Sequence, residues 1–288
     1  MLDRTSFIGW QLRAIKEALL HFNENDGFAM ASHVALSVMI AIFPFLIFAV
    51  SLASIVSSKG ASLAIIDLVF DLWPEDIAEP IVHEIEAVVD TSSAGYLTVG
   101  ILLALFFSSN GIEAIRVALN RAYGDIEGRS ILRQRLQSLV FVFNGAILLV
   151  LVSLLLIFAP IYFSFIELPS TPFYHWMIKS NLIRGLMVFL LLTFAVFACH
   201  RWLPGKRRVL ARLFPGILMT LALWIIAAFG FSLYIQSFAN YSATYAGLSG
   251  IMTALIFLYL MAVILIYGAE YNSALARMTF HKSQVAER

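Results

Sequence analysis

Six stretches of the chain are apolar for long enough to matter in a membrane: residues 28–56, 96–112, 139–165, 183–199, 213–238 and 248–268. A bilayer core takes roughly 20 mostly apolar residues in a helix, so each predicts a transmembrane helix. The second and fourth are short. The second is expected to continue as a helix past the membrane, because EAIRVALNRAY has no Gly or Pro and is rich in helix formers. Between and before these stretches the apolar residues recur at helical rather than continuous spacing. In residues 1–27, Ile8, Leu12, Ile15, Leu19 and Phe22 make one stripe, with Arg13 and Lys16 beside it and Trp10 nearby. Such a pattern predicts an amphipathic helix lying in the cytoplasmic headgroup region. In residues 57–95, Leu63, Ile66, Val69, Phe70 and Trp73, and then after Pro74 and Pro80 the residues Ile81, Ile85 and Val88, predict two short amphipathic helices over the outer mouth. They form either a solvated lid or a vestibule for a cationic solute.

The fold class expected is therefore all-α: a polytopic membrane helical bundle of six transmembrane helices, with amphipathic interfacial and external helices. No linker, repeat or low-complexity run divides it. The organisation reads as an interface helix over 1–27, a six-span membrane domain over 28–273 that includes the external cap at 57–95, and a cytoplasmic tail over 274–288.

Composition agrees. The chain is 61% hydrophobic and 13% charged, against about 45–50% apolar and about 25% charged residues in soluble domains. The lone Cys199 supports neither a disulfide framework nor a thiolate zinc site within one chain. A net charge of +1 argues against binding a polyanion by bulk charge, and no nucleic-acid partner is expected. The opening MLDRTSFIGWQLRAIKEALL has no short apolar core followed by a cleavage site, so no cleavable signal peptide is expected. Of the nineteen Lys and Arg, all but Lys59, Lys179 and Arg184 fall on one side of the six spans. That bias puts both termini in the cytoplasm.

Charged and amide side chains within or at the ends of spans are costly and are functional candidates by default. Asn110, Glu113 and Asn120 share one helical face, with Arg116 within ion-pair reach of Glu113. Glu270 and Asn272 end the last span just after the small residues Gly268 and Ala269, which permit close helix approach. Both groups leave the membrane on the cytoplasmic side, so a single inner polar cluster is expected, with Asn144 as a further polar group in the third span. It reads either as a latch that fixes helix packing or as a gate in a transport path. Asn240, Tyr241, Tyr245 and Gly247 mark an external turn with interfacial tyrosines. Pro44 and Pro160 lie within spans and predict kinks, and Pro215 opens the fifth. The basic residues Arg129, Arg133 and Arg135, and Lys206, Arg207, Arg208 and Arg212, are placed to meet anionic lipid headgroups at the cytoplasmic face. The composition leaves room for a homo-oligomer.

Four segments carry a resemblance: AIFPFLIF, SSNGIEAIRVALNRAYGDIEGRSILRQRL, LPGKRRVLARLFPGILMTLALW, and FANYSATYAGLSGIMTALIFLYLMAVILIYGAEYNSAL. In this order, over residues 25–277, the chain resembles the YihY family of bacterial inner-membrane proteins, also called the virulence factor BrkB family and once labelled ribonuclease BN. The resemblance implies about six spans and a role in envelope integrity, serum resistance or, for some members, transport of lipid or lipopolysaccharide precursors. Where the family reads Tyr-Gly in the external turn, Tyr245 is followed here by Ala246 and then Gly247.

The old nuclease label has little chemistry to stand on. The six histidines are scattered, and a metal-dependent nuclease needs clustered carboxylates or histidines around divalent ions. Phosphate-loop, nucleophile-elbow and CxxC patterns are also missing from the chain. The expectation is a protein that is not an enzyme and binds no metal or cofactor: a transporter or a translocase of lipid or envelope precursors. The alternative is a non-transporting scaffold or envelope-assembly factor.

Overall fold

Long apolar runs without interior glycine clusters leave the backbone only one way to satisfy its polar groups in hydrocarbon, which is to form helices. The computed structural model describes residues 5–56, 82, 94–165, 182–238 and 248–286, and there the chain is all-helical. Its helices are α1 (Thr5–Glu24), α2 (Gly27–Val56), α3 (Ala94–Tyr123), α4 (Ile131–Phe165), α5 (Leu182–Trp202), α6 (Leu210–Phe238) and α7 (Leu248–Ala286). Six of them, α2 to α7, are long and apolar enough to cross a membrane. The external turn at Asn240, Tyr241, Tyr245 and Gly247 lies outside the described residues, as does the external cap at 57–95 apart from residue 82 and the start of α3.

The chain divides into two compact units, Met1–Met39 with Glu113–Gln134 and Thr193–Arg288, and Ile40–Ile112 with Arg135–Leu192. The second unit has an apolar centre of Phe48, Ala49, Ala104, Val142 and Ala146 from α2, α3 and α4. There α2 runs through Pro44 as a helix, and the Phe45 ring lies in van der Waals contact with the Gly145 position of α4. Pro160 likewise falls within the helical range of α4.

In the first unit, α7 is packed between α1 and α6. Ala14 and Ala18 of α1 pack onto Tyr271, Ala274 and Leu275 of α7. Small side chains bring the two helices close, and Phe22 closes the buried face. Leu12 and Leu19, from the stripe expected to anchor the helix, remain about 60% exposed. The protein contact is thus made by Ala14 and Ala18, which lie outside the stripe, while of the stripe Phe22 is buried and Leu12 and Leu19 are left for the surroundings. On its other side α7 crosses α6 at paired glycines. A Cβ on Gly268 would stand 2.8 Å from the Gly216 carbonyl oxygen and would overlap the Thr220 hydroxyl. Further along, Trp224 Nε1 donates to the Met261 carbonyl at 3.0 Å. α7 runs unbroken to Ala286, so the described part of the segment expected as a tail is helical.

Candidate functional site

The polar residues of the first unit sit where three chain turns meet. α3 ends in a Schellman arrangement: Gly124, at φ 65°, donates to the Arg121 carbonyl at 3.0 Å, and Asp125 N–H donates to the Asn120 carbonyl at 2.8 Å. That sharp stop sends residues 125–130 back alongside the helix they leave. Glu127 thereby reaches Arg116, which also holds Glu113 one turn earlier, with Nε 3.3 Å from Glu113 Oε2. Gln134 Oε1 accepts from Arg116 at 2.8 Å. Asn120 Nδ2 donates to Glu127 at 2.9 Å. Arg129 clamps Glu127 from the other side at 2.7 Å and donates to the Leu203 carbonyl at 2.8 Å. Arg116 is 3% exposed, and its charge is answered by two carboxylates.

The second loop is stapled to the first. Gly205 N–H donates to Asn120 Oδ1 at 2.7 Å, and Arg208 grips Asp125 through both guanidinium ends at 2.7 and 2.8 Å. Its guanidinium also lies 3.9 Å above the Tyr123 ring. A fork on a carboxylate with a stacked face is an arrangement that lysine does not reproduce. Hydrogen bonds from Arg129 hold the Glu127 carboxyl well below the usual range, at about 2, and the same contact raises the Arg129 guanidinium further.

Below this, Tyr123 bridges three helices. Its hydroxyl lies 2.7 Å from His200 Nδ1 of α5 and accepts from Asn272 Nδ2 of α7 at 3.1 Å. Asn272 spans the α6 backbone at Pro215: it accepts from Gly216 N–H at 2.7 Å and donates to the Leu213 carbonyl at 3.0 Å. Proline interrupts helical bonding, and here a side-chain amide from α7 occupies the interrupted turn. His200 is buried, with Nε2 lacking a partner.

Glu270 belongs to a different set of contacts. Its Oε1 accepts from Asn25 Nδ2 at 2.6 Å, in the α1–α2 turn where Asp26 sits at φ 51°. Glu270 is 1% exposed, and its Oε2 has no hydrogen-bond partner. The turn is held by Asn25 N–H on the His21 carbonyl at 2.8 Å and by the Asp26–Arg121 ion pair.

The seven polar residues expected in one cluster are thus spread over several bonding groups. Arg116 joins Glu113 to Glu127, and Asn120 also bonds Glu127; Asn272 joins Tyr123; Glu270 joins Asn25. In the second unit, Asn110 accepts from Arg135 at 2.9 Å and Asn144 bonds its own helix at the Val140 carbonyl, 2.8 Å away. Among the residues expected at lipid headgroups, Arg129, Arg135 and Arg208 are engaged within the protein, whereas Arg133, Lys206, Arg207 and Arg212 are exposed. Sequence reasoning missed Asn25, Tyr123, Asp125, Glu127 and His200. A usable signal existed for two of them, since Asp125 and Glu127 are acids set between arginines in RAYGDIEGR.

Among the described residues no three His, Cys, Asp or Glu side chains gather as a metal site would require. Arrangement and composition define a polytopic all-helical membrane protein whose ionisable groups at the helix ends are turned toward one another. The Virulence factor BrkB family matches residues 18–288, and the chain belongs to that family. A protein of Bacillus subtilis (strain 168) named as ribonuclease-like, YfkH, is 31% identical over 269 residues, covering 91% of this chain and 94% of that protein. A UPF0761 membrane protein of Kangiella koreensis is 24% identical over 261 residues, covering 90% of this chain but only 62% of its own length. One from Coxiella burnetii (strain RSA 493 / Nine Mile phase I) is 32% identical over 96 residues, about a third of either chain. No solved structure matches.

Proposed function

We propose that this membrane protein is a transporter or a translocase of lipid or envelope precursors in the bacterial inner membrane, with both termini cytoplasmic and Glu270 as its working residue. One observation carries the reading: a carboxyl group that is 1% exposed within a membrane-length helix, held at one oxygen by a neutral amide and at the other by nothing. A buried charge without a counter-ion is expensive, and ionisable groups in spans most often mark ion or substrate paths. The exposed Arg133, Lys206, Arg207 and Arg212 draw anionic headgroups to the cytoplasmic face at about 1 kcal/mol each. The ribonuclease-like label stays with YfkH.

The test is reconstitution into liposomes, following scrambling of fluorescent lipids and flux of small solutes. Wild type is expected to move at least one class, and Glu270→Gln to slow that movement at least tenfold. Folded protein that moves none of the lipids or solutes tried, in either direction, removes the proposal.

A second reading, a non-transporting scaffold or envelope-assembly factor, is favoured by the Arg116 centre. Two carboxylates and a glutamine engage its guanidinium, as in a lock. Under that reading neither wild type nor Glu270→Gln moves anything, and the variants differ only in what they assemble with.

A further inference from the structure

We infer that Glu270 is a proton-binding site whose occupancy is read by the α1–α2 turn through Asn25. The inference rests on the transport reading and deepens it by naming the coupling ion. In the ionised state both oxygens need donors or a cation, and only Oε1 has one, the Asn25 amide at 2.6 Å. Three ligand-bearing side chains do not gather among the described residues. A bound proton needs no ligand shell: it forms an O–H bond at Oε2, the carboxylate becomes a neutral acid, and no other bond breaks.

The surroundings neither supply nor exclude this proton by a strong nearby ion pair. The charged groups facing Glu270 are Glu24 at the end of α1 and Arg277 on its own helix. Arg277 is already engaged by Glu17 at 3.0 Å and by Ser273. Asp26, beside Asn25, is held by Arg121, and His21 lies between Glu17 and Glu24. From α3 the nearby ionisable group is the Tyr123 phenol, tied to His200 and Asn272. α6 meets α7 through Gly216, Thr220 and Trp224, none of which titrates.

The mechanical consequence follows from the bond type. A hydrogen bond to a carboxylate is roughly twice as strong as one to a neutral acid, so protonation loosens Asn25 from α7. Asn25 sits in a turn with a left-handed Asp26 and with the Phe22 ring pressed on the Gly27 position, where a Cβ would stand 2.6 Å away. The turn that joins α1 to α2 is therefore tied to α7 more firmly when Glu270 is ionised.

Infrared difference spectroscopy of the full-length protein in detergent, titrated over about pH 5 to 9 where buried carboxyls titrate, reads the site without requiring flux. The expected result is a carboxylic-acid band that fades as pH rises and is absent from Glu270→Gln. Should that variant fold poorly, Asn25→Ala serves: losing a donor to the anion favours the acid, shifting the midpoint up by about one pH unit, tenfold tighter proton binding. No Glu270-dependent band, a midpoint unmoved in Asn25→Ala, or a midpoint that follows sodium concentration overturns the inference. A titrating Glu270 in a protein that moves nothing sinks the transport reading alone, and flux without titration sinks the proton site alone.

Discussion

Arg116 and Glu270 are both ionisable, both nearly fully buried and both in the first compact unit, yet their surroundings are opposite. Arg116 is held by Glu113 on its own helix and by Glu127 and Gln134 from the returning chain, and Asn120 and Arg129 complete the shell around Glu127. Glu270 has one neutral donor and a bare oxygen. Burial of charge alone therefore does not mark a working group. A charge satisfied by several chain segments locks those segments together, and one left half-satisfied is free to change its state.

The largest expected effect comes from breaking the lock. Arg116→Ala leaves Glu113 and Glu127 facing each other without their shared cation, and removing one partner of a buried pair costs about 3 to 5 kcal/mol. Unfolding in mixed micelles should show that loss, whereas Glu270→Gln should unfold within about 1 kcal/mol of wild type, since it removes an unpaired charge. Equal losses in the two variants break the contrast. A smaller effect comes from the α6–α7 crossing. Gly268→Ala pushes a methyl into Thr220 and the Gly216 carbonyl, for which overpacking costs about 1 to 3 kcal/mol. The same micelle assay reads it, and an unchanged midpoint shows that the helices part freely there.

The third test sharpens the locked side through pH. Glu127 is lowered to about 2 in the folded protein from an ordinary 4.5, so its contribution is fully present above 4.5 and is lost as pH falls from there toward 2. The whole shift is worth about 3 kcal/mol; with Glu127 partly exposed and screened by solvent, wild type should lose about 2 kcal/mol across that window, a slope that Glu127→Gln flattens. A variant with the same acid slope as wild type assigns that loss to other carboxylates.

Much of the fold is legible in the chain itself, because hydrophobic length is a local property. A bilayer-length apolar run has to become a helix wherever its neighbours lie, and α2 to α7 each contain one of the six stretches. Family membership is equally legible from the ordered segments. Helix ends were legible in part: the expected continuation through EAIRVALNRAY is met, with α3 running to Tyr123 and stopping at Gly124, whereas α7 runs to Ala286, past the point where hydropathy ends. The polar residues were recognisable one by one as misplaced for a membrane. Their partners were not, since Asn25 and Glu270 are 245 positions apart and nothing local joins them.

From the sequence alone came the number of spans, the charge bias across them and a short roster of groups that hydrocarbon would reject, all of which depend on residues close together along the chain. Tertiary structure decided how that roster was divided. The turn at Gly124 carries Glu127 back to Arg116, and the α1–α2 turn brings only an amide to Glu270. Which of two buried charges is neutralised depends on the meeting of distant segments, and that geometry is set by packing.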